Sequence, residues 1–183
     1  MSKTRLLSAT MVGQTRPPRD GSITLAAIVC AAMAPVAPAL AMPMGSTYTG
    51  HVDRQTPLPI GPNEIKIQQT ASGTNTGLGT PLDGAKVQWV KTVALKNRQG
   101  PVQSAIAFTT PAGATLSAYK GMVTTDPQGR ITIRGTNQVT NGTGALAGVK
   151  GNGNFSVAHT SKSDFTGERW GEAQMPGQKA LKR

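Results

Sequence analysis

Between Gly142 and Gly153 the chain reads Gly-Thr-Gly-Ala-Leu-Ala-Gly-Val-Lys-Gly-Asn-Gly, and the alternating stretch Phe155-Ser156-Val157-Ala158 follows almost at once. Glycines this close together supply positive φ and near approach of backbones without a Cβ clash. The segment therefore predicts a tight crossing from one strand to the next in an all-β fold. A phosphate-cradling loop would need a strand before it, a helix after it and usually a terminal Gly-Lys-Ser/Thr. Here Lys150 stands before a glycine and no helical period follows, which argues against nucleotide binding.

The amino-terminal segment has a different character. Arg16 and Arg19 precede an apolar run from Ile23 to Leu40 that ends in Ala39-Leu40-Ala41, the pattern of a secretory signal with a small-residue cleavage site. Residues 1–41 are thus expected to be a signal peptide, with the mature protein in the periplasm or secreted. Pro35 and Pro38 interrupt the run and no basic flank follows it, so a retained membrane anchor is the weaker alternative. Met11 is an alternative initiator. Cys30, the one cysteine of the chain, would leave with the leader.

The remaining 142 residues suffice for a single domain, expected over 42–174, with 175–183 as a flexible basic tail. Without cysteine this part has no disulfide, no thiol nucleophile and no cysteine metal site. Fifteen Lys and Arg against seven Asp and Glu give it a formal charge of +8. Such a surplus favours weak association with anionic envelope polymers, and it equally serves as a solvated surface.

Apolar residues recur with period two and are broken repeatedly by Gly, Pro, Asn and Asp. Tyr48–Asp53, Ile65 with Ile67, the stretch holding Val87, Trp89, Lys91 and Val93, Ser104–Phe108, Thr115–Thr124, Arg130–Asn137, Gly153–His159 and Phe165–Glu172 read as about eight strands. Proline is expected to hold residues 57–63 out of the sheet, and the polar stretch 71–84 to form an exposed excursion. No window after residue 41 has an amphipathic helical pattern. Short sequential connections favour antiparallel neighbours, and closing the meander removes exposed edges. The expected fold is a small antiparallel eight-stranded β-barrel, with a two-sheet sandwich as the alternative.

Leu116–Gly121, Ile131–Gly135, the glycines at 142, 144, 148, 151 and 153, and Phe165-Thr166-Gly167 together resemble the carboxy-terminal half of small secreted bacterial relatives of the allene oxide cyclase and dirigent proteins. The resemblance spans about residues 85–172. It implies a calycin-like or allene oxide cyclase-like barrel, often with a cavity in its mouth, packed as a homo-dimer or homo-trimer. It also implies epoxide cyclisation or the steering of phenolic coupling as related activities, although the polar catalytic sets of those groups do not map onto this chain.

Trp89, Phe108, Tyr119 and Trp170 are the expected ligand-binding residues, lining a cavity for a hydrophobic or amphipathic small molecule. A cyclase or isomerase and a basic cell-envelope interaction module are the alternatives. No catalytic residue, cofactor or metal is assigned: His51 and His159 are too few for a three-histidine centre. His51 with Asp53 reads as a surface pair, and His159 beside Thr160 and Ser161 has no obvious acidic orienter. Glu168 and Glu172 share one strand face, an arrangement that suits either work on a glycosidic bond or plain solvation. Trp and Tyr among lysines would suit single strands, but export and the lack of a motif argue against specific nucleic-acid binding.

Overall fold

Alternation decides the architecture. In β4 (Lys86–Lys96) Val87, Trp89, Lys91 and Val93 turn to a buried face while Lys86, Gln88 and Val90 turn to solvent, and the other strands follow the same period. The computed structural model describes residues 41–175, which form β1 (Ala41–Pro43), β2 (Ser46–Gly61), β3 (Glu64–Thr76), β4, β5 (Gly100–Thr110), β6 (Gly113–Thr125), β7 (Ile131–Gly142), β8 (Lys150–His159) and β9 (Asp164–Gln174). A single 3₁₀ turn at Gly144–Leu146 separates β7 from β8. The expected signal peptide lies outside the described residues as far as position 40, as does the basic tail from 176.

All pairings are antiparallel and belong to one sheet in the order β1-β9-β2-β3-β4-β5-β6-β7-β8. The expected eight-stranded barrel, calycin-like or allene oxide cyclase-like, is corrected to this single nine-stranded sheet; the sandwich alternative, which needs two sheets, is not found either. The additional strand comes from residues at the expected leader boundary, where Ala41–Pro43 pairs with Glu172–Gln174. β9 is bonded along one edge to β8 and along the other to β1 and to the first half of β2.

Every strand from β2 to β9 contributes its buried residues from one face, and these form one core around Tyr48, Val87, Trp89, Ile106, Phe108, Tyr119, Phe155 and Phe165. Each large apolar side chain so buried contributes on the order of 1.5–3 kcal/mol. Opposed glycines let the sheet coil tightly around that core. Gly50 faces Gly73, Gly121 faces Gly135 and Gly153 faces Gly171. A Cβ on Gly73 would stand 2.8 Å from the Gly50 Cα, and one on Gly153 2.9 Å from the Gly171 Cα. No side chain fits between backbones that close. The glycine run at 142–153 makes the tight crossing its spacing predicts: Gly144 and Gly148 take φ of +58° and +75°, and Leu146 and Val149 turn inward to cover one end of the core.

Two stretches differ from expectation. Pro57 and Pro59 lie inside β2, paired with Ile67 and Ile65, because this half of β2 is an edge whose outer side needs no donor. Between 71 and 84 the first residues continue β3. The excursion itself is Gly77–Gly84, held down by Asn75, whose Nδ2 donates to the Leu82 carbonyl at 2.7 Å, and by the buried Leu82.

Candidate functional site

Three of the four expected ligand-binding residues meet inside the sheet. Trp89 packs against Tyr48 with ring centroids 5.6 Å apart and edge-on against Phe165 at 5.2 Å. Tyr119 sits edge-on to Phe155 at 4.9 Å, and Phe108 lies beneath the Arg169 guanidinium with its Cζ 4.1 Å from the ring centroid. These contacts consume the space. The void left among Tyr48, Trp89, Lys91, Tyr119 and Phe155 measures about 30 Å³, room for little more than one water.

The expected cavity for an apolar or amphipathic small molecule is therefore corrected: its own lining residues fill it. The enclosed chamber assumed for a cyclase or isomerase goes with it, and the export signal on which the location rested lies outside the described residues. The basic-module alternative required clustered external lysines. The outward cations of β4 to β8 are Lys86, Lys96, Lys120, Arg134 and Lys150, of which Lys120 and Arg134 are diagonal neighbours across β6 and β7.

Polar groups are nevertheless buried here. Lys91 is held between Trp89 and Val93, with Nζ 5.4 Å from the Phe165 ring centroid, and burial brings its pKa from 10.5 down to about 8. Burial, helped by the Lys91 charge, lowers the His159 pKa from 6.5 to about 4. The same desolvation pushes the Tyr48 and Tyr119 phenols up. His51 pairs on the surface with Asp164 rather than Asp53, Nδ1 to Oδ1 at 2.7 Å, while Asp53 accepts from the Ser72 hydroxyl at 2.8 Å. His51 and Ser161 both hydrogen-bond to the Asp164 carboxylate and hold it below its ordinary range.

Trp170, the fourth expected residue, stands on the opposite face of β9. It is 46 % exposed, whereas Trp89 is 5 % exposed. It borders a cleft of about 530 Å³ lined also by Thr47, Thr76, Leu78 and Glu168. This runs into a groove of about 370 Å³ that shares Thr47, Thr76 and Glu168 and adds Thr49, Ser156 and Thr166. The combined trough crosses β3, β2, β9 and β8, a width of about 14 Å at the usual strand spacing. Its lining carries one flat indole, a rim of hydroxyls, the exposed Leu78, the Glu168 carboxylate and the largely buried Arg169, and Glu172 follows Trp170 on the same outward face of β9.

The sequence held a signal for this placement. Phe165 and Trp170 are five residues apart on a regular strand and so face opposite ways. With Phe165 in the core, Gly167 and Arg169 follow it inward and Glu168, Trp170 and Glu172 go out. No family model, curated protein or solved structure matches the chain.

Proposed function

We propose that the protein binds a glycan, uncharged or carrying free amino groups, in the trough beside Trp170. One observation carries the reading: an exposed indole in an open groove whose lining sets the hydroxyls of Thr47, Thr76, Thr49, Ser156 and Thr166 and the Glu168 carboxylate among apolar groups such as Leu78. A pyranose ring has an apolar C–H face that stacks on an indole, and an edge of hydroxyls that exchange hydrogen bonds with Thr47, Thr76 and Glu168. Glu168 in the lining, with Glu172 near it on the same strand face, disfavours phosphate, sulfate and uronate, since the Arg169 side chain that also reaches the cleft is only 2 % exposed. Nucleic acid and acidic polymers are disfavoured at this face although its tryptophan could stack a base. Both carboxylates stand on an open surface with no wall to enclose a reacting bond, which favours retention of the sugar over its cleavage. A location in the periplasm or outside the cell, where such polymers are met, agrees with this role.

The chain has two tryptophans, one buried and one exposed, so fluorescence isolates the site. Titration with neutral and amino-sugar oligosaccharides is expected to change the solvent-exposed emission of Trp170 saturably, and Trp170→Ala to weaken binding at least tenfold with folding intact. No response across both ligand classes at millimolar concentration, or binding unchanged in W170A, rejects the reading.

A further inference from the structure

A second void, of about 40 Å³, lies under the 3₁₀ turn and is walled by apolar groups including Met44, Leu82, Leu146 and Val149. Three polar side chains also reach it, Arg169, Thr115 and Thr80, and the Thr80 hydroxyl is already engaged by the Leu82 N–H at 3.4 Å. Arg169 is only 2 % exposed. Its Nε donates to the Ser46 hydroxyl at 2.7 Å, its plane covers Phe108 and its charge acts on the Tyr119 phenol, but among the described residues its Nη1 has no hydrogen-bond partner, and neither does the Thr115 hydroxyl. The ion pairs formed among the described residues are His51–Asp164, Lys96–Glu64 and Arg130–Asp126, none involving Arg169. A buried lysine relieves such a situation by releasing its proton. A guanidinium cannot, so its charge persists and requires compensation inside the protein.

We infer that this void is a binding site for a small monovalent anion of the halide class, held by Arg169 Nη1 and the Thr115 hydroxyl. The two donors are the chemistry a spherical anion needs, and the apolar remainder of the wall suits a weakly hydrated one. The volume admits a chloride or bromide and excludes oxyanions with organic groups. The void shares Gly45 and Arg169 with the lining of the cleft beside Trp170, but the two readings have different readouts, chloride-dependent stability here and Trp170 emission there, so one can fail without the other.

The test uses the whole protein at constant ionic strength, with sodium chloride exchanged stepwise for sodium gluconate. Melting temperature is expected to rise saturably with chloride, and likewise with bromide, because a ligand bound only by the folded state stabilises it. Thr115→Val keeps the shape and removes one donor. It should weaken the chloride response about tenfold, the effect of losing one hydrogen bond to a charged group. Crystals grown in bromide should show an anomalous peak beside Arg169 Nη1, a readout that needs no variant. A melting temperature that is the same in chloride and gluconate, or a bromide crystal with only water at this position, overturns the inference.

Discussion

Replacing Lys91 by methionine should make the protein more stable. The ammonium lies in the core with 8 % of the residue exposed, faces the Phe165 ring, and has no carboxylate partner among the described residues. Its displacement from 10.5 to about 8 corresponds to roughly 3 kcal/mol against the charged form in the folded state. Methionine has similar length and keeps the packing of the aliphatic stem while removing the charge. At pH 7 K91M should therefore exceed wild type by about 2–3 kcal/mol, the lost contact with Phe165 offsetting part of the gain. Urea unfolding followed by tryptophan emission reads this directly.

The pH dependence gives the sign. Between pH 8 and 10.5 the unfolded chain binds more protons at this site than the folded one, so wild type gains stability as pH rises through that window. The advantage of K91M is full below pH 8 and shrinks towards zero at the upper end. His159 does not interfere above pH 7, because a pKa lowered from 6.5 to about 4 costs stability only as pH falls below 6.5. An advantage of equal size at pH 7 and pH 10, or none at pH 7, refutes the reasoning.

Two further substitutions test the packing. A Cβ at Gly167 would run into the Tyr48 ring, with the phenol oxygen at 2.6 Å, so Gly167→Ala should cost about 1–3 kcal/mol in chemical denaturation. The control is Gly45→Ala, where nothing lies within 4 Å and the change should stay within about 0.5 kcal/mol. Asn75→Ala removes the side-chain donor to the Leu82 carbonyl, which keeps only the Ala85 N–H at 3.2 Å, and should cost about 0.5–1.5 kcal/mol. Hydrogen exchange is expected to quicken through 77–85 in that variant, and unchanged exchange there would show that Asn75 does not pin the loop.

The parts of this fold that sequence made legible are those where one strand face is apolar over its whole length. β4 is the clearest case, since Val87, Trp89 and Val93 bracket Lys91 and fix its inward direction. Pro57 and Pro59 misled because proline excludes a central strand but not an edge, and edge position depends on β9, more than a hundred residues away. The count of nine strands was hidden for a related reason: Ala41–Pro43 has no periodicity of its own and becomes a strand by lying along Glu172–Gln174. At the candidate site a list of large residues does not contain their volume. Trp89, Phe108 and Tyr119 proved to be the filling of the expected cavity, whereas the parity of β9 already separated Trp170 from them.

The way β9 is held has a consequence for how the chain comes to be folded. Its partners on one edge are the earliest strands described, and a single buried contact, Arg169 with Ser46, joins residues 123 apart. Contacts of such sequence separation form late and slowly. During synthesis β2 and β8 must wait with unbonded edges until the last strand leaves the ribosome, and each is then a template for a neighbouring chain. A nascent protein of this topology is thus open to edge pairing with its siblings during the interval before β9 arrives.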